Sequence, residues 1–425
     1  MTKKNIFLFF LLLISCLYVN GTVYAKDIKV VIDPGHGGDN LGGQFGEYTE
    51  KELTLQTALA MKEHLEKYDD ITVYLTHDNT SDPDMTLSKR AAFAQSVNAD
   101  FLFSLHYNMS EDHRLYGSEV WISSFEPYHS QGLSFGAIEL DELQAFSLFN
   151  RGVKVRLNSK GSDYYGIIRH AVEEQIPAVI IEHCHMDQKN DRTILAGDSD
   201  ITKLFGIADA EAVAKYYKLH SAELNTDYSD YEVQIPDSPL YQAQKDDTPP
   251  QTANIELVQY QEDTHQALIS LTAKDSDSVV LYYDYSIDGG ITYSDLYPFH
   301  EENDSLTFLI DQLPDSKEQN LICRVYNLYD KALASNELVI AGFTEETITE
   351  TIPASNQDDM LASDSIAVLN QAEPEESAYN DAEITNYLLY GIFFLILIFS
   401  IFNIVFFCYI RKRHSSKRNH NIKYR

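Results

Sequence analysis

The sequence predicts an α/β domain with a mainly parallel sheet flanked by helices, followed by a β-sandwich and a C-terminal transmembrane helix. Residues 26–220 alternate short β-rich apolar runs with helical patterns, which is typical of a parallel sheet covered on both faces. Residues 251–343 change to a period of two with turn signals between the runs. Residues 387–410 are apolar and uncharged over a length that can cross a bilayer.

The predicted sheet of the first domain rests on five apolar runs. These are Lys29–Ile32, Ile71–Leu75, Phe101–Leu105, Ser118–Ile122 and Ala178–Ile181. Between the first two runs, Thr49-Glu50-Lys51-Glu52 has the form of a helix capping box, and apolar residues follow it at helical spacing. The polar stretch 221–250 ends in two prolines and is predicted to be a linker.

The predicted strands of the second domain show alternating apolar residues. One set is Ala267, Ile269, Leu271 and Ala273, and another is Leu281, Tyr283, Tyr285 and Ile287. The second set leads into the turn Asp288-Gly289-Gly290. The phrases 285–290 and 324–327 resemble those of bacterial immunoglobulin-like or fibronectin-like modules, and the resemblance implies a β-sandwich of that kind.

The two ends of the chain predict export and anchoring. Residues 1–25 resemble a signal peptide cleaved after Ala25, and cleavage before Cys16 as in a lipoprotein is the alternative. Residues 344–386 are acidic and predicted to form a disordered stalk. The tail 411–425 is basic, which places it on the cytoplasmic side. We therefore expect a single-pass protein of the cell membrane, with the C-terminus inside the cell and residues 26–383 outside it.

The charge balance excludes one class of partner. The 425 residues include 32 Lys and Arg against 65 Asp and Glu, so the formal net charge is −33. A chain this acidic is a poor candidate for binding nucleic acid through its phosphates. Of the four cysteines, only Cys184 and Cys323 lie outside the two terminal apolar segments, so no disulfide framework is expected.

Polar residues follow three of the apolar runs of the first domain. His36, His106 and Glu182 each lie at a strand end, and Glu50 lies at the start of the first predicted helix. Ligands of open α/β sheets bind beyond the carboxyl ends of the strands, so these side chains can converge. Two imidazoles and a carboxylate suit a zinc ion with an open position, and a further carboxylate can act as acid and base. Taken alone, His36 is more often an ordinary loop residue and His106 a core residue. Glu182 directly follows an apolar run, and a carboxylate there needs a partner or a function.

The first domain resembles the zinc-dependent N-acetylmuramoyl-L-alanine amidases, known as amidase type 3. The resemblance covers residues 28–218. It rests on the segments 30–38, 50–53, 104–108 and 177–182, with support from 87–90 and 151–154. It implies that His36, Glu50 and His106 bind zinc and that Glu182 is the catalytic acid/base. Glu47 is the nearby rival for Glu50. Asn108 is expected to contact the substrate or to support the metal ligands.

The resemblance implies hydrolysis of the amide bond between N-acetylmuramic acid and the L-alanine of the stem peptide, by zinc-activated hydroxide with Glu182 as acid/base. The segment after Glu182 departs from the family pattern, which commonly has Gly-Phe there. We expect His183 and His185 to be loop residues rather than supports of the metal ligands. Cys184 is not expected to bind zinc or act as a nucleophile, because no basic residue is arranged to activate it.

Two alternatives to the amidase remain open from the sequence. One is a catalytically silent amidase fold that binds the wall or regulates other wall enzymes. The other is an exported zinc peptidase that cuts within the stem peptide. The expected partners are peptidoglycan and, through the single C-terminal span, the cell membrane. The β-sandwich is a candidate site for a protein partner.

Overall fold

The computed structural model describes residues 27–299, 304–311, 313–314 and 318–340. The predicted signal peptide, acidic stalk, transmembrane helix and basic tail lie outside the described residues. A search of the described part of the chain for a helix both long and apolar enough to span a bilayer finds none.

A six-stranded sheet forms the centre of the first domain. The strands of this domain and of the segment after it are β1 (Ile28–Pro34), β2 (Gln44–Phe45), β3 (Tyr48–Thr49), β4 (Ile71–Leu75), β5 (Phe101–Asn108), β6 (Ser118–Ile122), β7 (Asn150–Lys154), β8 (Ala178–His185), β9 (His220–Ser221) and β10 (Thr226–Asp227). The strand order in the sheet is β4-β1-β5-β8-β6-β7. Strands β2 and β3 form a separate hairpin, as do β9 and β10.

The prediction of a mainly parallel sheet is confirmed. Strands β4, β1, β5 and β8 are parallel to one another, whereas β6 pairs antiparallel with β8 and β7 runs parallel to β6. The reversal follows from the short connection between β5 and β6, from Met109 to Gly117. A parallel return needs a crossover of about a dozen residues or more, and this connection is too short to provide one.

Six helices cover both faces of this sheet in the described residues. They are α1 (Glu50–Leu65), α2 (Leu87–Ser96), α3 (Tyr128–Gln144), α4 (Gly166–Glu173), α5 (Lys189–Gly197) and α6 (Ile201–Tyr216). Alternate residues of β1 divide between two cores, because Val30 and Ile32 pack with α1, α3 and α6 while Val31 packs with α2 and α4. This division explains why the strand reads as a continuous apolar run.

The start of α1 differs from the predicted capping box. Thr49 occupies the N-cap position, but its side chain makes no capping hydrogen bond. The first helical amides are instead satisfied by the preceding loop, because Glu50 N donates to Gly43 O (2.9 Å) and Lys51 N to Leu41 O (3.2 Å). The capping-box prediction is therefore wrong, and the helix start is tied to the loop 41–43.

The second domain consists of antiparallel strands in two sheets around a common core. Its strands are β11 (Thr252–Gln261), β12 (Gln266–Lys274), β13 (Val280–Ser286), β14 (Tyr297–Pro298), β15 (Ser305–Ile310), β16 (Gln319–Asn327), β17 (Ala332–Ala334) and β18 (Leu338–Ile340). One sheet has the order β11-β12-β15, and the other has the order β14-β13-β16-β17 with β18 also paired to β16. The inward residues of β12 (Ala267, Ile269, Leu271 and Ala273) are buried as their alternation predicts.

Strand β13 is buried on both faces because it lies between the two domains. Tyr283 packs in the core of the second domain, whereas Leu281 and Tyr282 join the core of the first. A β-bulge between Val280 and Tyr282 interrupts the period of two. The predicted common face for Leu281 and Tyr283 is therefore wrong.

The segment predicted as a linker also packs on the first domain. It contains β9, β10 and a short 3₁₀ helix, Pro239–Tyr241. Leu240, Tyr241 and Ala243 are buried in the core of the first domain. Tyr241 accepts a hydrogen bond at its hydroxyl from Asn150 Nδ2 of β7 (2.7 Å). The two domains are thus joined along a continuous apolar surface as well as by the chain.

A buried carboxylate crosses the contact between the domains. Asp284 of β13 is fully buried and accepts hydrogen bonds from Arg114 Nη2 (2.7 Å), Arg324 Nη2 (2.6 Å) and the Tyr326 hydroxyl (3.0 Å). Arg114 belongs to the β5–β6 connection of the first domain and also donates to Ser294 O. Asp284 therefore links Arg114 of the first domain to Arg324 and Tyr326 of the second.

We expect Asp284→Ala to lower the free energy of unfolding by about 3 kcal/mol, because it leaves two arginines without their buried partner. Urea unfolding of the variant measures the loss. The control is Asp304→Ala, which removes an ion pair between Asp304 and Lys274 whose side chains are both exposed. That change should cost less than about 1 kcal/mol. Equal effects of the two substitutions would contradict a central role for Asp284.

Candidate metal centre and catalytic site

The structure brings His36, Glu50 and His106 together at one edge of the sheet. Each offers one possible ligand atom, and these atoms all lie within 4.8 Å of one another. His36 Nε2 is 2.9 Å from Glu50 Oε2, and His106 Nδ1 is 2.9 Å from Glu50 Oε1. The two imidazole rings meet edge to face with their centroids 5.1 Å apart. The carboxylate of Glu50 therefore lies between the two imidazoles.

Glu50 is buried and held in its ionised form. Burial by itself raises its pKa, but the hydrogen bonds to His106 and His36 outweigh that effect and hold the pKa well below the ordinary value. Two backbone amides also donate to the carboxylate, from Gly43 (2.7 Å) and Tyr107 (3.2 Å). Glu47, the rival candidate, is exposed at the β2–β3 turn and is not part of the cluster.

Two glycines next to these residues leave room for a metal ion between the donor atoms. At Gly42, where φ is +68°, an added Cβ would lie 2.5 Å from His36 Cδ2 and 2.6 Å from Glu50 Oε2. At Gly35 it would lie 2.6 Å from His106 Cε1. Two glycines thus keep side chains out of the space between the donors. Two imidazole nitrogens and a carboxylate oxygen are a donor set typical of zinc.

A buried arginine fixes the loop that carries His36, and the sequence analysis did not identify this role. Arg90 of α2 donates to Asp33 Oδ1 (2.6 Å), to Pro34 O (2.7 Å) and to His36 O (2.6 Å). It also pairs with Asp84, which accepts from Asn40 Nδ2, and Asn40 in turn contacts His36 Nδ1 (3.1 Å). The guanidinium therefore positions both the backbone and the ring of His36, which adopts a left-handed conformation with φ of 69°.

Glu182 lies in β8 beside the cluster. Its register partners are His106 on β5 and Glu119 on β6, so it occupies the position between them on the sheet. Its Oε2 is buried and has no hydrogen-bond partner among the described residues. Burial raises its pKa well above the ordinary value, and the negative charges of Glu50 and Glu119 raise it further. A partly exposed carboxyl with a high proton affinity is suited to exchange a proton with a substrate.

Glu119, which the sequence analysis did not identify, is held ionised by two buried cations. Its Oε2 accepts from Lys154 Nζ (2.6 Å) and from Arg151 Nε (2.8 Å). Burial raises its pKa, but these charges outweigh it and hold the pKa well below the ordinary value. Asn108 donates from Nδ2 to Glu119 Oε1 (3.0 Å). The structure thus places Asn108 next to this carboxylate, and its proposed contact with substrate stays a prediction.

The expectation that His183 and His185 are loop residues is wrong. Strand β8 continues through His185, and both side chains are buried. His183 donates from Nδ1 to His106 O (3.0 Å) and from Nε2 to Asp209 (3.1 Å). Burial lowers the pKa of His183, but the charge and hydrogen bond of Asp209 outweigh this effect, so the pKa is raised. A raised pKa agrees with the presence of an acceptor at each ring nitrogen. His183 therefore supports the strand that carries His106.

His185 and Cys184 are both buried in uncharged forms. Burial and the nearby Arg151 lower the pKa of His185 to about 3. Burial raises the pKa of the Cys184 thiol well above its ordinary value. A buried thiol that resists ionisation is a poor nucleophile, in agreement with the expectation from the sequence.

Comparisons with known proteins identify the family of the first domain. The N-acetylmuramoyl-L-alanine amidase family, amidase type 3, matches residues 30–215. The amidase CwlM of Bacillus licheniformis is 30% identical over 209 residues, which are 47% of this chain and 76% of CwlM. The chain belongs to the family of N-acetylmuramoyl-L-alanine amidases, and its second domain lies outside the matched residues.

Two further relatives are matched over smaller shares of their length. The sporulation-specific N-acetylmuramoyl-L-alanine amidase of Bacillus subtilis strain 168 is 30% identical over 184 residues, 42% of this chain and 64% of that protein. The solved structure of Cwp6 from Clostridium difficile has 30% identity and a TM-score of 0.42, covering 46% of this chain and 30% of that chain. This chain therefore spans less than two thirds of either protein.

We expect Gly42→Ala to weaken zinc binding by about tenfold or more, because its Cβ would displace both His36 and Glu50. The control is Gly46→Ala, which also has a positive φ (+59°) but meets no atom within 4 Å. The control should lose only about 1 kcal/mol of stability through backbone strain. Competition with a chromogenic chelator measures the zinc affinity of both variants. Equal affinities would contradict the inference that Gly42 keeps the space between the metal donors free.

The raised pKa of Glu182 predicts a pH-dependent effect of Glu182→Gln on the metal-free protein. Because the folded state binds this proton more tightly than the unfolded chain, Glu182 contributes stability below pH 4.5 that is lost as pH rises through the folded pKa. At pH 8 the variant should be more stable than the wild type, because the amide carries no charge in this setting. Urea unfolding across this pH range should show the difference vanish near pH 4, and a constant difference would refute the assignment.

Proposed function

We propose that this chain is an active enzyme that hydrolyses the amide bond between N-acetylmuramic acid and the L-alanine of the peptidoglycan stem peptide. The observation that carries the proposal is the arrangement of His36, Glu50 and His106 beside Glu182 in a member of this amidase family. A catalytically silent relative would have no need to keep a carboxyl with a buried, unpartnered oxygen next to a set of metal donors.

The metal side of the proposed mechanism rests on three residues. His36, Glu50 and His106 would hold one zinc ion, which when bound polarises a carbonyl and lowers the pKa of water. Arg90 holds the His36 loop through two carbonyl oxygens, so that the imidazole is positioned before any ligand arrives. Glu50 makes four contacts with the two imidazoles and two backbone amides, which fix both of its oxygens.

The proton transfers are assigned to Glu182. Its carboxylate accepts a proton from the attacking water and then delivers it to the departing alanine nitrogen. The raised pKa supports the second step, because a carboxyl that holds its proton more tightly than usual retains it until the departing nitrogen accepts it. Glu119 lies next to it on the sheet, and Lys154 and Arg151 offset the charge of Glu119 so that Glu182 can still ionise.

The setting of the enzyme is also part of the proposal. Export by residues 1–25, a membrane span at 387–410 and an acidic stalk at 344–386 would hold the catalytic domain outside the cell, within reach of the wall. The apolar segments and the basic residues after the second one support this topology. The alternating strands and the Asp-Gly-Gly turn support an immunoglobulin- or fibronectin-like second domain.

The deciding experiment is product analysis of purified peptidoglycan treated with the full chain. We expect whole stem peptides with a free L-alanine amine, together with glycan strands free of peptide. Glu182→Gln should lower the rate by at least about a hundredfold while zinc content stays unchanged. Removal of zinc with a chelator should abolish activity, and added zinc should restore it.

Each other outcome points to a different function. Fragments cut within the stem peptide would identify a peptidase of another specificity. No products from a zinc-loaded, folded wild-type protein would favour a silent or regulatory role. Normal release by Glu182→Gln would overturn the role of that residue as acid/base.

A further inference from the structure

Two cavities flank the strand that carries Glu182. The first has a volume of about 360 Å³ and lies on the side of the metal donors, where His36, His106 and Arg90 line it together with Leu87 and Ile167. The second has a volume of about 290 Å³ and lies on the opposite side, where Asn108, Glu119 and Trp121 line it. Tyr165 lines both cavities. The two cavities, together called the cleft, take residues from β1 and β5 on one side of β8 and from β6 and β7 on the other.

This order assigns the two sides of the proposed substrate to the two cavities. The carbonyl of the scissile amide must face the metal donors, and its nitrogen must face Glu182, which protonates it. Because Glu182 lies between His106 and Glu119 on the sheet, the direction from carbonyl to nitrogen continues toward the second cavity. Adjacent strands are about 4.8 Å apart, so the peptide beyond the alanine nitrogen reaches this cavity directly.

The wall of the second cavity includes residues of the second domain. Tyr329, Asp330 and Lys331 come from the connection between β16 and β17, and Asp246 and Asp247 come from the segment before β11. All of them lie outside residues 30–215, which match the amidase family. This part of the cleft is therefore specific to the two-domain architecture of the chain.

The connection Leu328–Lys331 is fixed against the first domain. Asp330 pairs with Arg151 through both oxygens (3.0 and 2.9 Å), and Arg151 Nη1 also donates to the Tyr282 hydroxyl (3.1 Å). The Tyr329 hydroxyl donates to Gln244 O (2.7 Å) and accepts from Val155 N (3.3 Å). Asn327 Oδ1 accepts from the amides of Tyr329 and Lys331. Because this wall is already fixed, it can contact a ligand with little loss of conformational entropy on binding.

The acids of this cavity are already engaged, whereas two of its cations have no carboxylate partner among the described residues. Glu119 and Asp330 pair with Arg151, Asp247 pairs with Lys245, and Asp246 accepts from Ser278, Thr248 and Asn327. Arg156 and Lys331 are both exposed, and among the described residues no carboxylate lies within ion-pair distance of either. Arg156 stacks on Tyr164 with its guanidinium carbon 3.8 Å from the ring centroid.

We propose that the second domain completes the peptide-binding half of the active-site cleft, with Lys331 of the second domain and Arg156 of the first receiving a carboxylate of the stem peptide. The inference rests on the proposed amidase function and adds to it a specificity-determining role for a residue outside the amidase domain. Carboxylates of the stem peptide that lie beyond the L-alanine are the anionic groups available to these cations. The domain thus acts in substrate selection rather than only as a spacer.

The test compares two muropeptides that differ in one group. One carries a free α-carboxylate on the residue after L-alanine, and the other carries the corresponding amide. For the full chain with Lys331→Glu, we expect KM for the carboxylate substrate to rise about tenfold while kcat stays within about twofold. KM for the amide substrate should stay close to that of the wild type. Lys331→Arg should retain most of the wild-type preference.

Lys203→Glu is the matched control, because Lys203 of α6 is exposed, lines neither cavity and undergoes the same change of charge. Unchanged KM in Lys331→Glu for both substrates would overturn the inference while leaving the amidase function intact. An equal rise for both substrates would also overturn it, since that result indicates a change of shape rather than lost carboxylate recognition. A wild-type chain that cleaves neither muropeptide would refute the proposed function itself, and the inference with it.

Discussion

The ion network centred on Glu119 and Arg151 is the interaction on which the site and the domain arrangement both depend. Glu119 stands beside Glu182 on the sheet, and Arg151 connects it to Asp330 of the second domain. Charges buried this deeply are tolerated only when each has a partner with good geometry. Lys154, also buried, completes the compensation. One set of contacts therefore holds the catalytic strand, the sheet edge and the second domain, and these contacts must form together.

The chemistry of the site follows from the different environments of three neighbouring carboxyl groups. Glu50 lies between imidazoles and Glu119 between cations, so both stay ionised despite burial. Glu182 has no comparable partner and faces the negative charge of the other two, so its proton affinity rises. Environments that push pKa values apart in this way divide the roles of metal ligand, electrostatic support and proton carrier among residues of one type.

The sequence was sufficient to predict features that are local along the chain. His36 comes just after β1, and His106 and Glu182 lie in the C-terminal halves of β5 and β8, so the parallel arrangement of these strands brings them together at one edge. The contacts of Arg90 with Asp33 and of Arg151 with Glu119 could not be predicted, because they join residues far apart whose proximity only the folded sheet creates. The continuation of β8 through His185 was missed because its polar residues find buried partners such as Asp209.

Strand β13 shows a second limit of pattern-based prediction, since its alternation suggests one buried and one exposed face. In the structure the face with Tyr282 and Asp284 packs on the first domain. A fragment that ends near residue 220 would consequently lack Leu240 and Leu281 and would expose the apolar surface that they contact. It would also leave the Arg151 guanidinium without its partner Asp330. Such a truncated catalytic fragment would tend to self-associate, so biochemical work on this enzyme is best served by keeping both domains on one polypeptide.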